Sequence, residues 1–298
     1  MASITTGNGL GLFNTSINLL GTSSPHQDPT LGKPGQGDRV YVNAATGNLV
    51  IQKTDEILAN SGLDLNLVRT YNSQGQWDGD NSDNWQLSAY QKLTAIPAAP
   101  NTANTSVTKV FGDGAEAIYV YDGSKYVSQD GDGAHDTLSY NAGIWTWTDG
   151  SRWITETYNS SGQLTSSSDI DGNSATYTYT GTLLTQIQTR TQDASGANTF
   201  LNQTTYLDYT GTNLSQIRTV SNGTEQVRTQ YKYDSSNRLT QVLVDLTPTD
   251  ALQTADSNSD GILEGVNGQS YTTTYTYDGT SKRVASITQG DGTTVSFT

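Results

Sequence analysis

Cysteine is absent from the 298 residues, which excludes thiol nucleophiles, zinc-thiolate sites and disulfide staples. Only two histidines occur, His26 and His135, so a multi-histidine metal centre is excluded and any Ser-His-Asp site would have to use one of them. Cations are scarce. Fifteen Lys and Arg stand against 29 Asp and Glu, and the formal net charge of -14 is the reverse of what nucleic-acid phosphates or an anionic membrane surface attract. No apolar run approaches the length of a membrane span, and Met1 to Leu20 lacks the basic start and continuous apolar core of a signal peptide. Export would therefore use another route or a segment outside this sequence. Charged residues are only 15% of the chain, which leaves Thr, Ser, Asn, Gln and Gly to solvate the surface.

What is abundant points one way. The sequence holds 46 Thr and 17 Tyr, residues that fit a pleated, half-buried surface better than a helix. The 30 Gly lie mostly between short apolar alternations, and turn signals recur about every ten residues, the spacing of successive antiparallel strands. The expected fold is all-β, an antiparallel strip of stacked hairpins forming a curved sheet. Residues 1–38 read as a flexible Gly/Ser/Pro-rich leader with one apolar patch from Leu10 to Leu20. Residues 39–150 read as an N-terminal β-region. It opens with the hairpin Val40-Tyr41-Val42, Thr46-Gly47-Asn48, Leu49-Val50-Ile51, and continues with an alternation from Leu63 to Tyr71 that places Leu63, Leu65 and Leu67 on one face. One strand is expected over 85–94, and hairpins follow through Thr148.

Residues 151–298 contain an internal repeat. Tyr158-Asn-Ser-Ser-Gly-Gln-Leu164, Tyr179-Thr-Gly-Thr-Leu183, Tyr209-Thr-Gly-Thr-Asn-Leu214, Tyr233-Asp-Ser-Ser-Asn-Arg-Leu239 and Tyr277-Asp-Gly-Thr-Ser-Lys-Arg-Val284 each end an alternating strand in Tyr, turn, and resume at Leu or Val. The Asp and Arg of the units at Tyr233 and Tyr277 resemble the Tyr-Asp repeats of bacterial RHS proteins. The stretch Val42 to Leu49, followed by Leu63 to Ser73, resembles the region that precedes those repeats. The units at Tyr179 and Tyr209 lack the Asp and the Arg. The resemblance covers about residues 39–298 and implies a non-catalytic extracellular or cell-surface β-scaffold that encloses or presents a toxin or mediates cell contact. The toxin domain such proteins carry beyond their repeats is not in this sequence.

Particular residues carry further expectations. Asp256, Asn258 and Asp260 with Gly261 follow the one-three-five-six pattern of a loop that wraps Ca2+, with Glu264 or a backbone carbonyl to complete it. Asn267 stands where an EF-hand needs a bidentate Glu, so a polar turn is the alternative. Clusters at Asp78, Asp80 and Asp83, at Asp130, Asp132 and Asp136, and at Asp169 and Asp171 fit turn chemistry better than metal binding. Trp145, Trp147 and Trp153 offer sugar-stacking surfaces. Trp145 and Trp147 share one strand face, however, which equally fits packing between sheets. The pairs Tyr177/Tyr179, Tyr231/Tyr233 and Tyr275/Tyr277 are expected to stack into a ladder across adjacent strands. Glu116, Glu156 and Glu225 show no glycosidase signature, and no enzymatic activity is expected. Besides the scaffold, the sequence leaves open a carbohydrate-binding, adhesin-like module, with or without calcium, and a self-assembling fibre subunit that pairs with other copies through open sheet edges.

Overall fold

The computed structural model describes residues 17–19, 39–42, 47–57, 63, 66–75, 79–112, 114–128, 135–192, 200–221, 223–246 and 270–297. Over these residues the chain is all-β, in 22 strands with every pairing antiparallel. No helix among them is long and apolar enough to cross a membrane.

Five strands form a first sheet in chain order: β1 (Ile17–Leu19), β2 (Arg39–Val42), β3 (Leu49–Ile57), β4 (Asn66–Asn72) and β5 (Trp85–Leu87). The expected β2–β3 hairpin is present, with Val42 opposite Leu49 and Gly47 at a φ of 70° that L side chains avoid. Strand β4 starts three residues later than the alternation from Leu63 predicts, and its inward face is Leu67, Arg69 and Tyr71. The single strand expected over 85–94 is instead β5, a 3-10 turn (Ser88–Tyr90) and β6 (Lys92–Thr94). Ser88 explains the break. Its Oγ donates to Asn66 O at 2.8 Å and accepts from Val68 N at 3.0 Å, occupying the β4 groups that a longer β5 would have bonded. The chain there leaves the first sheet for the second.

The second sheet runs from β6 through β7 (Ser106–Val110), β8 (Glu116–Tyr121), β9 (Tyr126–Ser128), β10 (Thr137–Asn141), β11 (Ile144–Thr148), β12 (Thr155–Tyr158) and β13 (Leu164–Ser168). It continues as β14 (Ser174–Thr180), β15 (Leu183–Gln192), β16 (Phe200–Thr210), β17 (Asn213–Ser221), β18 (Thr224–Tyr233), β19 (Leu239–Asp245), β20 (Ser270–Tyr277), β21 (Val284–Thr288) and β22 (Thr294–Ser296). Pairing passes through residue 150 without a break, as Trp147 lies opposite Glu156. The sheet closes on itself where Lys92 bridges Gln163 and Leu93 N donates to Gly162 O at 2.8 Å. Strands β6 to β13 thereby enclose a filled interior of Leu93, Val107, Lys109, Tyr119, Tyr126, Leu138, Trp145, Trp147, Tyr158 and Leu164, all buried. Eight strands make a ring just wide enough for side chains to fill. Gly162 is required at the closure, because its φ is 81° and a Cβ there would stand 2.2 Å from Leu93 O.

The repeat read from the sequence has a structural counterpart. At each of its five tyrosines the ladder register shifts by a β-bulge, between Thr157/Tyr158, Thr178/Tyr179, Asp208/Tyr209, Lys232/Tyr233 and Thr276/Tyr277. Each tyrosine then pairs with a buried aliphatic residue across its turn: Leu164, Leu184, Leu214, Leu239 or Val284. A bulge bends its strand and increases local twist, so the bend recurs once per hairpin. The units lacking Asp and Arg close with shorter turns, in which Gly181 and Gly211 sit at φ of 61° and 64° and Thr180 and Thr210 still pair with Leu183 and Asn213. A glycine at the first central position of a two-residue loop needs no side-chain cap.

Candidate functional site

The longest-range chemistry of the molecule lies where the first sheet packs on the tyrosine-bearing strands of the second. On β3 and β4, Lys53 stands opposite Arg69, two like charges that a bare pair would not tolerate. Each finds its partners elsewhere. Arg69 forks onto Asp55 through Nε (2.8 Å) and Nη2 (3.1 Å), while its Nη1 donates to Tyr275 OH at 2.9 Å. Asp55 accepts in addition from Tyr231 OH at 2.7 Å, and its backbone carbonyl accepts from Thr229 Oγ1 at 3.0 Å. Lys53 Nζ donates to Thr273 Oγ1 at 2.9 Å and lies 4.8 Å from the centre of the Tyr271 ring. The Arg69 guanidinium also lies 4.8 Å from Trp85 and 5.4 Å from Tyr275 ring centres, a buried cation over aromatic faces. Burial, reinforced by the Asp55 charge, raises the Tyr231 phenol well above its ordinary value, so it stays a neutral donor.

A second row of contacts engages the turn ends of the repeats. Trp85 Nε1 donates to Tyr277 OH (3.1 Å), whose own proton goes to Leu239 O at 2.6 Å. Tyr71 OH donates to Lys282 O (3.0 Å) and accepts from Val284 N (3.1 Å). Asp83 ties its own loop through Trp85 N at 2.9 Å and reaches Leu239 N at 3.1 Å. Asn81 bridges Asn213 Oδ1 and Asn237 O, and Lys282 Nζ donates to Ser82 O. Of the acidic cluster, Asp80 accepts from Asn81 N in its own turn and Asp83 does both turn and docking work, while Asp78 lies outside the described residues.

The repeat motif itself resolves into two devices. Its Asp caps the turn: Asp234 Oδ1 accepts from Ser236 N and Arg238 N, and Oδ2 takes Arg238 Nε at 2.8 Å. Burial would raise the Asp234 carboxyl, but these bonds outweigh it and hold the carboxyl below its ordinary value. Its Arg couples neighbours, since Arg238 Nη1 donates to Gly279 O and Ser281 O of the next turn, both at 2.8 Å. The tyrosine ladder is a different one from that expected. Successive repeats are joined by hydroxyl-to-carbonyl bonds, Tyr209 OH to Leu184 O at 2.9 Å and Tyr277 OH to Leu239 O. The phenol reaches a carbonyl because the bulge has turned the tyrosine out of strict alternation with its neighbours.

The structure does not bring the three candidate sugar-stacking tryptophans together. Trp145 and Trp147 are buried inside the ring, Trp145 between the Tyr126 and Tyr140 rings at 5.2 and 4.7 Å, and Trp147 with its Nε1 donating to Tyr119 OH at 2.8 Å. Trp145 borders a cleft of about 510 Å³ shared with Ile96, Pro97, Tyr140 and Ser161, but its own ring presents no face to solvent. Trp153 is 67% exposed and sits at a φ of 58°, on a turn clamped by Asp149 through Ser151 N, Ser151 Oγ and Arg152 N. The calcium candidates Asp256, Asn258, Asp260 and Glu264 lie outside the described residues. Among the described residues no three His, Asp or Glu side chains converge as a metal site would require.

Sequence reasoning did not single out Lys53, Asp55 or Arg69 as interior groups. The available signal was their parity. Asp55 and Arg69 fall on the alternation that the apolar residues of β3 and β4 mark as inward, and a charge at an inward position needs a partner.

Residues 40–119 match a family described as a domain of unknown function (DUF6531). No curated protein matches the chain. Solved structures to which it is similar include the crystal structure of TcdB2-TccC3-Cdc42, at 16% identity and a TM-score of 0.32, and that of TcdB2-TccC3-TEV, at 14% identity and a TM-score of 0.34. Each similarity covers 86% of this chain and 14% of the other, so the chain spans about one-seventh of the length of these neighbours.

Proposed function

We propose that the chain is a non-catalytic β-scaffold of the RHS kind, working outside the cell or at a bacterial surface, where it encloses or presents a toxin or mediates cell contact. One observation carries the reading. The inward face of the repeat strip holds the first sheet through a buried polar seam, joining residues about 170 to 220 positions apart in sequence. Holding a folded element against an inner face is what a shell must do. The repeat motif uses its Asp to close its own turn and its Tyr and Arg for bonds between hairpins, which supports a structural use of those residues. The test is surface labelling of intact producing cells with antibodies to the folded chain, together with an in-frame deletion of residues 39–296. Labelling, with loss of contact-dependent inhibition or adhesion on deletion, is the expected result. Protein confined to the cell interior with unchanged contact behaviour would overturn the proposal.

A second reading, a carbohydrate-binding module, is favoured by Trp153 alone. Its ring is exposed on a clamped turn beside the polar side chains of Ser151 and Arg152, a surface on which a pyranose can stack. Selective glycan-array binding lost in Trp153→Ala but kept in Trp145→Phe would establish it.

A further inference from the structure

We propose that Lys109 and Glu156 are joined by an intramolecular amide, formed by condensation of the Lys109 amine with the Glu156 side-chain carboxyl, which locks β7 to β12 across the interior of the ring. Neither residue takes part in the seam or in the repeat motif. Lys109 is wholly buried and Glu156 nearly so, and Nζ of the one contacts Oε2 of the other. Nothing polar from solvent reaches the amine. The Trp147 ring centre lies 3.0 Å from Nζ, that of Phe111 at 4.7 Å and that of Tyr158 at 5.8 Å. Tyr158 OH donates to the same Glu156 Oε2 at 2.5 Å. An amine and a carboxyl are thus held in contact inside an aromatic cage, with a phenol proton aimed at the carboxyl.

The neutral amine is within reach of ordinary pH. Burial lowers the Lys109 ammonium from 10.5 to about 8, against the opposing pull of the charges on Glu156, Asp136 and Asp149. The phenol of Tyr158 is raised well above its ordinary value, first by burial and then by the Glu156 charge, so it keeps its proton. Asp149 is occupied by its own turn, and Asp136 accepts from Gly150 N at 2.9 Å. In the proposed step the ammonium passes a proton to the carboxylate, giving a neutral amine and a neutral acid. The nitrogen lone pair then attacks Glu156 Cδ, while the Tyr158 hydroxyl steadies the oxygen that gains negative charge. The C–N bond forms, one C–O bond breaks, and that oxygen leaves as water with one proton from the acid and one from the amine. Ammonium plus carboxylate gives amide plus water, with no oxidant, metal or other reactant.

Two features of the interior favour this direction. A buried ion pair costs desolvation that its mutual attraction does not always repay, and the neutral amide abolishes both charges. The partners are also preassembled, so the reaction is unimolecular, and well-oriented intramolecular pairs behave as if present at effective concentrations of ~10⁵–10⁸ M.

The test is intact-mass spectrometry of the purified full chain under denaturing conditions, where a non-covalent pair shows the full sequence mass. The expected result is a mass lower by one water and, after digestion, a branched peptide joining the segment of Lys109 to that of Glu156. Asp-Gly sites also lose water by cyclising, so the branched peptide and a variant decide the assignment. Lys109→Arg retains a cation for Glu156 but does not condense, and it is expected at full mass with the near-ultraviolet circular dichroism of the parent. Folded parent protein at full mass, with the Lys109 and Glu156 peptides separate, would mean an ion pair only and overturn the proposal. Water loss undiminished in Lys109→Arg would overturn it too.

Discussion

Replacing Arg69 with Met removes the centre of the seam while keeping most of its volume. The side chain gives up two bonds to Asp55, one to Tyr275 OH and its position over Trp85. Asp55 is left buried with Tyr231 OH as its remaining side-chain donor from the seam. Removing one partner of a buried pair costs about 3–5 kcal/mol, because the other charge remains uncompensated. The cation-aromatic contribution, about 0.5–2 kcal/mol, is lost in the same step and does not simply add to it. The assay is urea unfolding followed by tryptophan emission. Trp85 reports directly on the seam, its ring centre lying 5.1 Å from Tyr71 and 4.7 Å from Tyr275. At ordinary urea slopes the midpoint should fall by on the order of 1–2 M. Arg69→Lys should fall between parent and Met, since an ammonium carries the charge without the planar fork. In Asp55→Leu/Arg69→Met no charge is stranded, and the loss should be clearly smaller than the sum of the single losses. A loss below about 1 kcal/mol for Arg69→Met, or strict additivity in the double variant, would refute the reasoning that the two sheets are held by this network.

Three further predictions follow from the same geometry. Tyr277→Phe strands Trp85 Nε1 and Leu239 O, and should cost about 1–3 kcal/mol in thermal unfolding with a change in Trp85 emission; an unchanged spectrum and stability would contradict it. Burial works to raise the Asp149 carboxyl, but bonds from Ser151 and Arg152 outweigh it and hold the group at about 2 instead of 3.8. Its folded value is the lower one, so its contribution of about 2 kcal/mol is complete above pH 3.8 and drains away as pH falls toward 2. Asp149→Asn should flatten that acid limb of stability against pH, and an unaltered limb would show that another carboxylate sets it. Trp153→Ala should leave stability within about 0.5 kcal/mol, because the side chain is mostly solvated; a larger loss in a melting curve would mean that Trp153 packs on something.

Much of the fold was legible because strand and turn signals are local. The β2–β3 hairpin, ring strands β7 to β13 and the five Tyr-to-aliphatic units follow from alternation interrupted by Gly, Asn and Asp. The break at Ser88 was not, because a serine that bonds two backbone groups of another strand looks, in sequence, like a serine within a strand. The bulges were hidden for a related reason. One extra residue per hairpin leaves the apolar pattern intact on each side and appears only as a change of parity at the tyrosine. The seam and the Lys109–Glu156 pair were hidden most deeply, since each joins residues whose separation exceeds any window of pattern. Trp145 and Trp147 show the opposite case. Their shared face was read correctly, and whether that face met solvent or core depended on ring closure by Lys92 and Gln163, residues with no marked signal.

The bulge at every repeat tyrosine separates two lengths that a plain hairpin would tie together. The step from tyrosine to its aliphatic partner varies, from Tyr179 to Leu184, from Tyr233 to Leu239 and from Tyr277 to Val284, yet the cross-strand pair is always that tyrosine with that aliphatic residue. Turn length can therefore drift from one repeat to the next without changing which atoms meet between repeats. The rung is conserved in geometry while the loop beyond it is free to accept insertions, so evolution or an engineer can decorate one rim of the strip and leave its pitch unaltered.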